Sequence, residues 1–324
     1  MVEHMLQAKK DFSRFGLALL AIGTVTIAVQ LLLGVLWEFC LRHTGLADLE
    51  IVPWILTIAP MYLVAIPVSY LLMKKIPAET VEPQKLSFGR FLTWMLMCMP
   101  IMYCGNYIGS FFSALFSGGT AENTVINFAT SNLLYGFIFT VLLAPFIEEF
   151  IFRKQIIDRL GKYGEKTAVL FSAITFGLFH MNLFQFFYAF GLGLIFAYVY
   201  TRTRKLRYPV IMHMIINFMG GVLAPMLISN LDMELMEKAA AGTATTEEMI
   251  SLSGPLLAFN TYVFAILGSV IAGVVFLILR WKKRIFLPAS CELPYGTEKK
   301  IVYWNLGMIL FCLFCFVMIV LALF

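Results

Sequence analysis

Charge is what this sequence has least of. Only 13% of its 324 residues are Asp, Glu, Lys or Arg, while 60% are hydrophobic, and the mean hydropathy is +0.86. A water-soluble domain of this length does not have that balance, so several apolar runs of 18 or more residues read as membrane spans. No small-x-small cleavage site closes the first apolar run, so MVEHMLQAKKDFSRFGLALLAIGTVTIAVQLLLGVLWEF reads as a retained first span rather than a signal peptide. The sequence has no soluble domain, no long repeat and no low-complexity tract. It also has no HExxH, the helical signature of many zinc hydrolases. The net charge of +5 calls for no nucleic-acid partner, because basic residues at span ends account for it.

What is present is a series of nine apolar segments: 15–39, 51–73, 91–116, 125–148, 168–183, 184–201, 209–228, 255–280 and 301–324. The fifth and sixth nearly fuse at MNLF and read as a tight hairpin. The expected fold is all-α, a polytopic membrane bundle of about eight to nine transmembrane helices. With the N-terminus in the cytoplasm, every Lys and Arg except Arg42 and Lys238 falls on the inside, as the positive-inside rule requires. The chain divides into N-terminal spans (1–124), a core carrying the chemistry (125–228), and an outside loop with the last spans (229–324). The acidic insert 230–253, NLDMELMEKAAAGTATTEEMISLS, is expected outside with a short surface helix. Gly105-Asn-Tyr-Ile-Gly109 has the spacing of close helix packing within the bundle. The six cysteines lie mostly in or beside spans, and Cys312-Leu-Phe-Cys315 sits in a continuous apolar run, so a structural role outweighs redox or metal chemistry.

A charged group in hydrocarbon costs ~2.5–3.5 kcal/mol on insertion scales, so each one there demands a reason. The set is short: Glu148, Glu149, His180, His213 and Asn217, with Arg153 nearby. Glu149 and Arg153 are four apart and share a helix face, so they can pair. Glu148 lies about 100° further round and is left free to act. Pro145 cannot donate to the carbonyl of Val141, so a kink is expected there. His213 and Asn217 also share a face, and His180 has Phe176 one turn before it. If the fourth span continues as helix to Leu160 and the next begins near Glu165, Glu148 is about 18 Å from the turn and His180 about 22 Å. His213 lies four residues beyond Pro209, on the same side. All these groups can converge a short way into the cytoplasmic leaflet.

A free carboxylate beside two imidazoles and an amide can take a proton from water, hold that water and stabilise an oxyanion. That is the chemistry of amide or ester hydrolysis. A zinc site of Glu148, His180 and His213 is the rival, with water in the open position. The metal-free glutamate mechanism is favoured, because Asn217 suits an oxyanion donor better than a zinc ligand. No cofactor is therefore expected, with zinc the alternative.

Glu148-Glu149-Phe-Ile-Phe-Arg153, Phe176-Gly-Leu-Phe-His180 and His213-Met-Ile-Ile-Asn217, in that order, match EExxxR, FxxxH and HxxxN. Together they resemble the CPBP family of intramembrane endopeptidases, the CAAX-protease and bacteriocin-processing (Abi) group, over roughly 130–225. Arg204-Lys-Leu-Arg207 departs from the Gly-Ser-Leu-Trp-like turn common there. The resemblance implies proteolysis near a membrane. Glu148 would activate water. His180, His213 and Asn217 would position it and stabilise the oxyanion, and Glu149, Arg153 and Phe176 would support the site. It implies a peptide or lipidated protein as substrate, and a bacterial plasma membrane with the site opening to the cytoplasmic side. Two other classes stand against an enzyme. One is a non-enzymatic immunity or scaffold protein on the same fold. The other is a proton-coupled transporter, for which no matching second half is present.

Overall fold

The computed structural model describes residues 2–324 and contains no strand among them. Nine principal helices correspond to the nine apolar segments: α1 Val2–Cys40, α2 Ile51–Met73, α3 Phe88–Ser117, α4 Leu133–Tyr163, α5 Glu165–Phe179, α6 Leu183–Thr203, α7 Arg207–Ser229, α8 Thr246–Lys283 and α9 Leu306–Leu321. The fourth starts at Leu133 rather than at 125, because the Asn132 side chain caps it and Thr124–Thr130 forms a separate short helix. Seven are long and apolar enough to cross a membrane; α5 and α9, of 15 and 16 residues, are shorter. The chain is an integral membrane protein built as an all-helical bundle.

The basic segments meet at one end. There the Tyr163 hydroxyl donates to Asp11 Oδ2 (2.7 Å), and Arg159 Nε donates to the Met73 carbonyl (3.1 Å). Arg202 pairs with Glu165, and the Cys291 N–H reaches the Lys162 carbonyl (2.8 Å). The opposite end holds Glu50 bonded to Asn132 (2.7 Å) and the short helix Met233–Ala240 within the acidic insert, started by an Asp232 cap. α8 begins at Thr246, earlier than the apolar run at 255, because Thr245 and Glu248 form a reciprocal capping box. Hydropathy locates the buried part of a helix; the cap locates its start.

The hinge between α4 and α5 is the expected Gly161–Gly164 turn, with Gly164 at φ +126°. The α5–α6 hairpin turns through His180, Met181 and Asn182, with Met181 at φ +54°. Asn182 caps α6 through Gln185 N–H (2.9 Å) and donates to the His180 carbonyl (2.8 Å). Arg204 also takes a left-handed conformation (φ +51°), one that glycine adopts most readily. Its guanidinium reaches Asp158 (3.1 Å), which also accepts from Tyr200 (3.0 Å).

Two apolar clusters fill the bundle. One joins α1, α4, α5 and α9 around Phe12, Phe152, Phe171, Phe176 and Phe311. The other joins α3, α6 and α7 around Met97, Leu192, Phe196 and Met212. The GxxxG pair serves packing inside the bundle: a Cβ on Gly109 would stand 2.4 Å from the Leu183 carbonyl oxygen, and one on Gly105 2.6 Å from the Tyr188 backbone nitrogen. α3 thus lies directly against the start of α6, which the His180 turn leads into. Gly109→Leu is expected to cost about 1–3 kcal/mol or more from overpacking. The check is the thermal midpoint of the purified protein, with Gly268→Leu, where nothing lies within 4 Å, leaving it unchanged.

Candidate active site

The fourth helix is not uniform around its carboxylates. Residues Phe137–Leu143 and Phe150–Gln155 are π-helical, and Ala144–Glu149 between them is α-helical. The expected interruption at Pro145 therefore takes the form of a widened turn before it. π turns inside α-helices recur at functional sites because they re-aim side chains.

Glu149 is fully buried and has partners on both sides. Arg153, equally buried, places Nε 2.8 Å from Oε2 and donates from Nη2 to Oε1 at 3.2 Å. The same Oε1 accepts from His213 Nδ1 at 2.9 Å. Glu149 thus joins α4 to α7, a link that the EExxxR spacing alone does not reveal. Glu148 is 18% exposed in its side chain, and its Oε2 lies 3.9 Å from His213 Nε2. That is too long for a hydrogen bond and suited to a bridging water.

Arg153 is held from below as well. Its guanidinium carbon sits 4.3 Å from the centre of the Phe176 ring and 5.6 Å from that of Phe196. Nη1 donates to Ser172 Oγ (3.4 Å), and Ser172 Oγ donates to the Phe152 carbonyl (2.6 Å). The Phe176 ring stands nearly perpendicular to both imidazoles, with centroids 4.9 Å from His180 and 5.8 Å from His213. A cation over an aromatic face is attracted by the ring quadrupole, and desolvation strengthens that attraction.

Hydrogen-bond partners set the histidine tautomers. His213 Nδ1 faces a carboxylate and His180 Nδ1 faces the Phe176 carbonyl (2.8 Å), so both Nδ1 atoms carry hydrogen and donate. When neutral, each ring keeps its lone pair on Nε2. Glu148, His213 and Arg153 are the charged or titratable side chains that act electrostatically on His180. Asn217 stands apart: its Nδ2 donates to the Thr140 carbonyl on α4 (2.9 Å).

The structure therefore gathers Glu148, Glu149, Arg153, Phe176, His180 and His213, and ties Asn217 to the same helix one turn along α7. Among the described residues, no group of three or more His, Cys, Asp or Glu is arranged to hold a metal ion. Phe196, Ser172, Thr140 and Asn182 escaped the sequence reading. Ser172 was within reach of it, because Ser172, Phe176 and His180 are four apart in turn and share a face of α5. Nothing distinguishes Phe196 among 31 phenylalanines.

Residues 130–219 match the family described as Type II CAAX prenyl endopeptidase Rce1-like. Over 176 residues the chain is 30% identical to YdiL of Bacillus subtilis, named as a candidate membrane peptidase; the match covers 48% of this chain and 66% of that protein. Over 154 residues it is 30% identical to the membrane-embedded CAAX protease MroQ of Staphylococcus aureus, covering 44% of this chain and 60% of that one. In each case the chain spans less than two thirds of the relative. No solved structure matches the chain at a significant level.

Breaking a buried pair from one side strands a charge, which costs about 3–5 kcal/mol. Arg153→Met is therefore expected to destabilise strongly. The double substitution Glu149→Met with Arg153→Met should cost less than Arg153→Met alone, as read from unfolding midpoints.

Proposed function

We propose that this chain, a member of the Rce1-like CAAX endopeptidase family, is an intramembrane endopeptidase. Its substrates are peptide bonds of membrane-associated or lipidated peptides. The observation that carries this is the contrast between two adjacent carboxylates. Glu149 is buried, ion-paired with Arg153 and hydrogen-bonded to His213, while Glu148 is partly exposed and faces an imidazole Nε2 at 3.9 Å.

Glu148 acts as the base. A water donating one hydrogen to Glu148 and the other to an imidazole Nε2 has a lone pair left for the scissile carbonyl. Glu148 takes the proton as the water oxygen bonds to carbon. The carbonyl π electrons move to oxygen, and the tetrahedral oxyanion forms. The amide hydrogen of Asn217 not used on Thr140 is a donor for that oxyanion, and the imidazole that does not hold the water, entering the step with a proton on Nε2 taken from solvent, adds a second. Glu148 then returns its proton to the leaving nitrogen as the C–N bond breaks, giving an acid and an amine. Glu149 and Arg153 hold His213 in the required tautomer, and the Phe176 carbonyl does the same for His180.

The gathering of basic segments at one end favours an orientation with that end in the cytoplasm, and the two bacterial relatives favour a bacterial plasma membrane. A non-enzymatic immunity or scaffold role would not need the two neighbouring carboxylates in such different settings.

Purified wild type and Glu148→Gln, assayed against a fluorogenic membrane-peptide library with metal content measured on the same samples, test the reading. Cleavage should fall about 10²–10⁴-fold in the variant, with the thermal midpoint unchanged and no dependence on bound metal. Full cleavage by Glu148→Gln would remove Glu148 as the base. Cleavage that follows bound zinc would replace the glutamate mechanism with a metal one. Absence of cleavage by wild type across the library would favour the scaffold role.

A further inference from the structure

The Thr140–Asn217 contact has a cause in the register of α4. In the π turn Phe137–Leu143, the Ala144 N–H bonds to the Phe139 carbonyl five residues back. The next bond in that register would run from residue 145 to the Thr140 carbonyl. Residue 145 is proline and has no N–H to give. Within a membrane-spanning helix there is no bulk water to take its place, so a freed carbonyl must find a partner in the protein. Asn217 Nδ2 is that partner, at 2.9 Å.

His213, one turn earlier on α7, donates to Glu149 at 2.9 Å. The two α7 side chains therefore grip α4 on either side of Pro145, at residues 140 and 149. Glu148 lies inside the gripped stretch, three residues after the proline. We propose that Asn217 is a positioning residue: it supplies the hydrogen bond that Pro145 withholds and so fixes the π turn that aims Glu148. This role is separate from donation to an oxyanion, because it uses a different amide hydrogen. Its catalytic consequence rests on the endopeptidase reading above; its structural consequence does not.

A double-mutant cycle separates the two. Pro145→Ala returns a backbone N–H opposite the Thr140 carbonyl and removes the need for Asn217 there. Asn217→Ala is expected to lower the thermal midpoint and to cut kcat by about tenfold to a hundredfold, the scale of a small misplacement of the reacting groups. Pro145→Ala alone should leave both close to wild type. The double variant should regain most of the midpoint and part of kcat, the residue of the loss being the oxyanion donor. If Asn217→Ala does not fold, folding of the double variant is the supporting result. Strictly additive midpoints, or a double variant that folds no better than Asn217→Ala, would overturn the proposal. A coupled midpoint with no cleavage by wild type would support the Thr140 link and take down the endopeptidase reading instead.

Discussion

The arrangement of the site turns on one buried carboxylate. Glu149 lies wholly inside the bundle, against a guanidinium on its own helix and an imidazole from α7. A lone carboxylate there would be untenable, and a lone arginine equally so. Together, with the Phe176 face beneath the guanidinium, they form a polar core that the apolar clusters can surround. The same contacts decide which nitrogen of His213 is free to work. Stability and chemical competence are thus fixed by one set of bonds, and Glu148 is left as the group with capacity to spare.

The helices reach this geometry by departing from regularity at a few places. π turns flank the carboxylates on α4, and another, Met219–Leu223, begins two residues after Asn217 on α7. His180 stands at the very end of α5, on a turn that Met181 completes in a left-handed conformation. Around these irregular points the bundle is rigidly packed. Gly16 and Gly307 let α1 and α9 cross at backbone contact, and Gly273 does the same for α8 against α3. Close glycine crossings of this kind make up for the missing hydrophobic drive between helices in lipid.

Much of this was legible in the sequence because it depends on local spacing. The Glu149–Arg153 pair, the shared face of His213 and Asn217, the Gly161–Gly164 turn and the hairpin at Met181 all follow from residues a few positions apart. The gathering of basic segments at one end followed from charge alone. What was not legible depends on register and on contacts between distant helices. Glu149 serving His213 as well as Arg153 is one such case, and Phe196 reaching both Arg153 and His213 from α6 is another. The π register is a third: from the sequence, Pro145 deprives Val141 of a donor, whereas in the widened turn it is Thr140 that is left without one. The left-handed Arg204 was visible only as a departure from a glycine turn, and its tie to Asp158 needed the fold.

Because the chain has only four histidines, the nitrogen shifts of His180 and His213 can be resolved from those of His4 and His43 in ¹⁵N-labelled protein. The measurement is the protonation of each ring nitrogen in the wild type and in Glu149→Gln. The account predicts a hydrogen-bonded, protonated Nδ1 on His213 whose resonance shifts when Glu149 is replaced, with His180 unaffected. A His213 ring with a bare Nδ1, or one indifferent to Glu149, would contradict the claim that this buried carboxylate sets the working atom of the site.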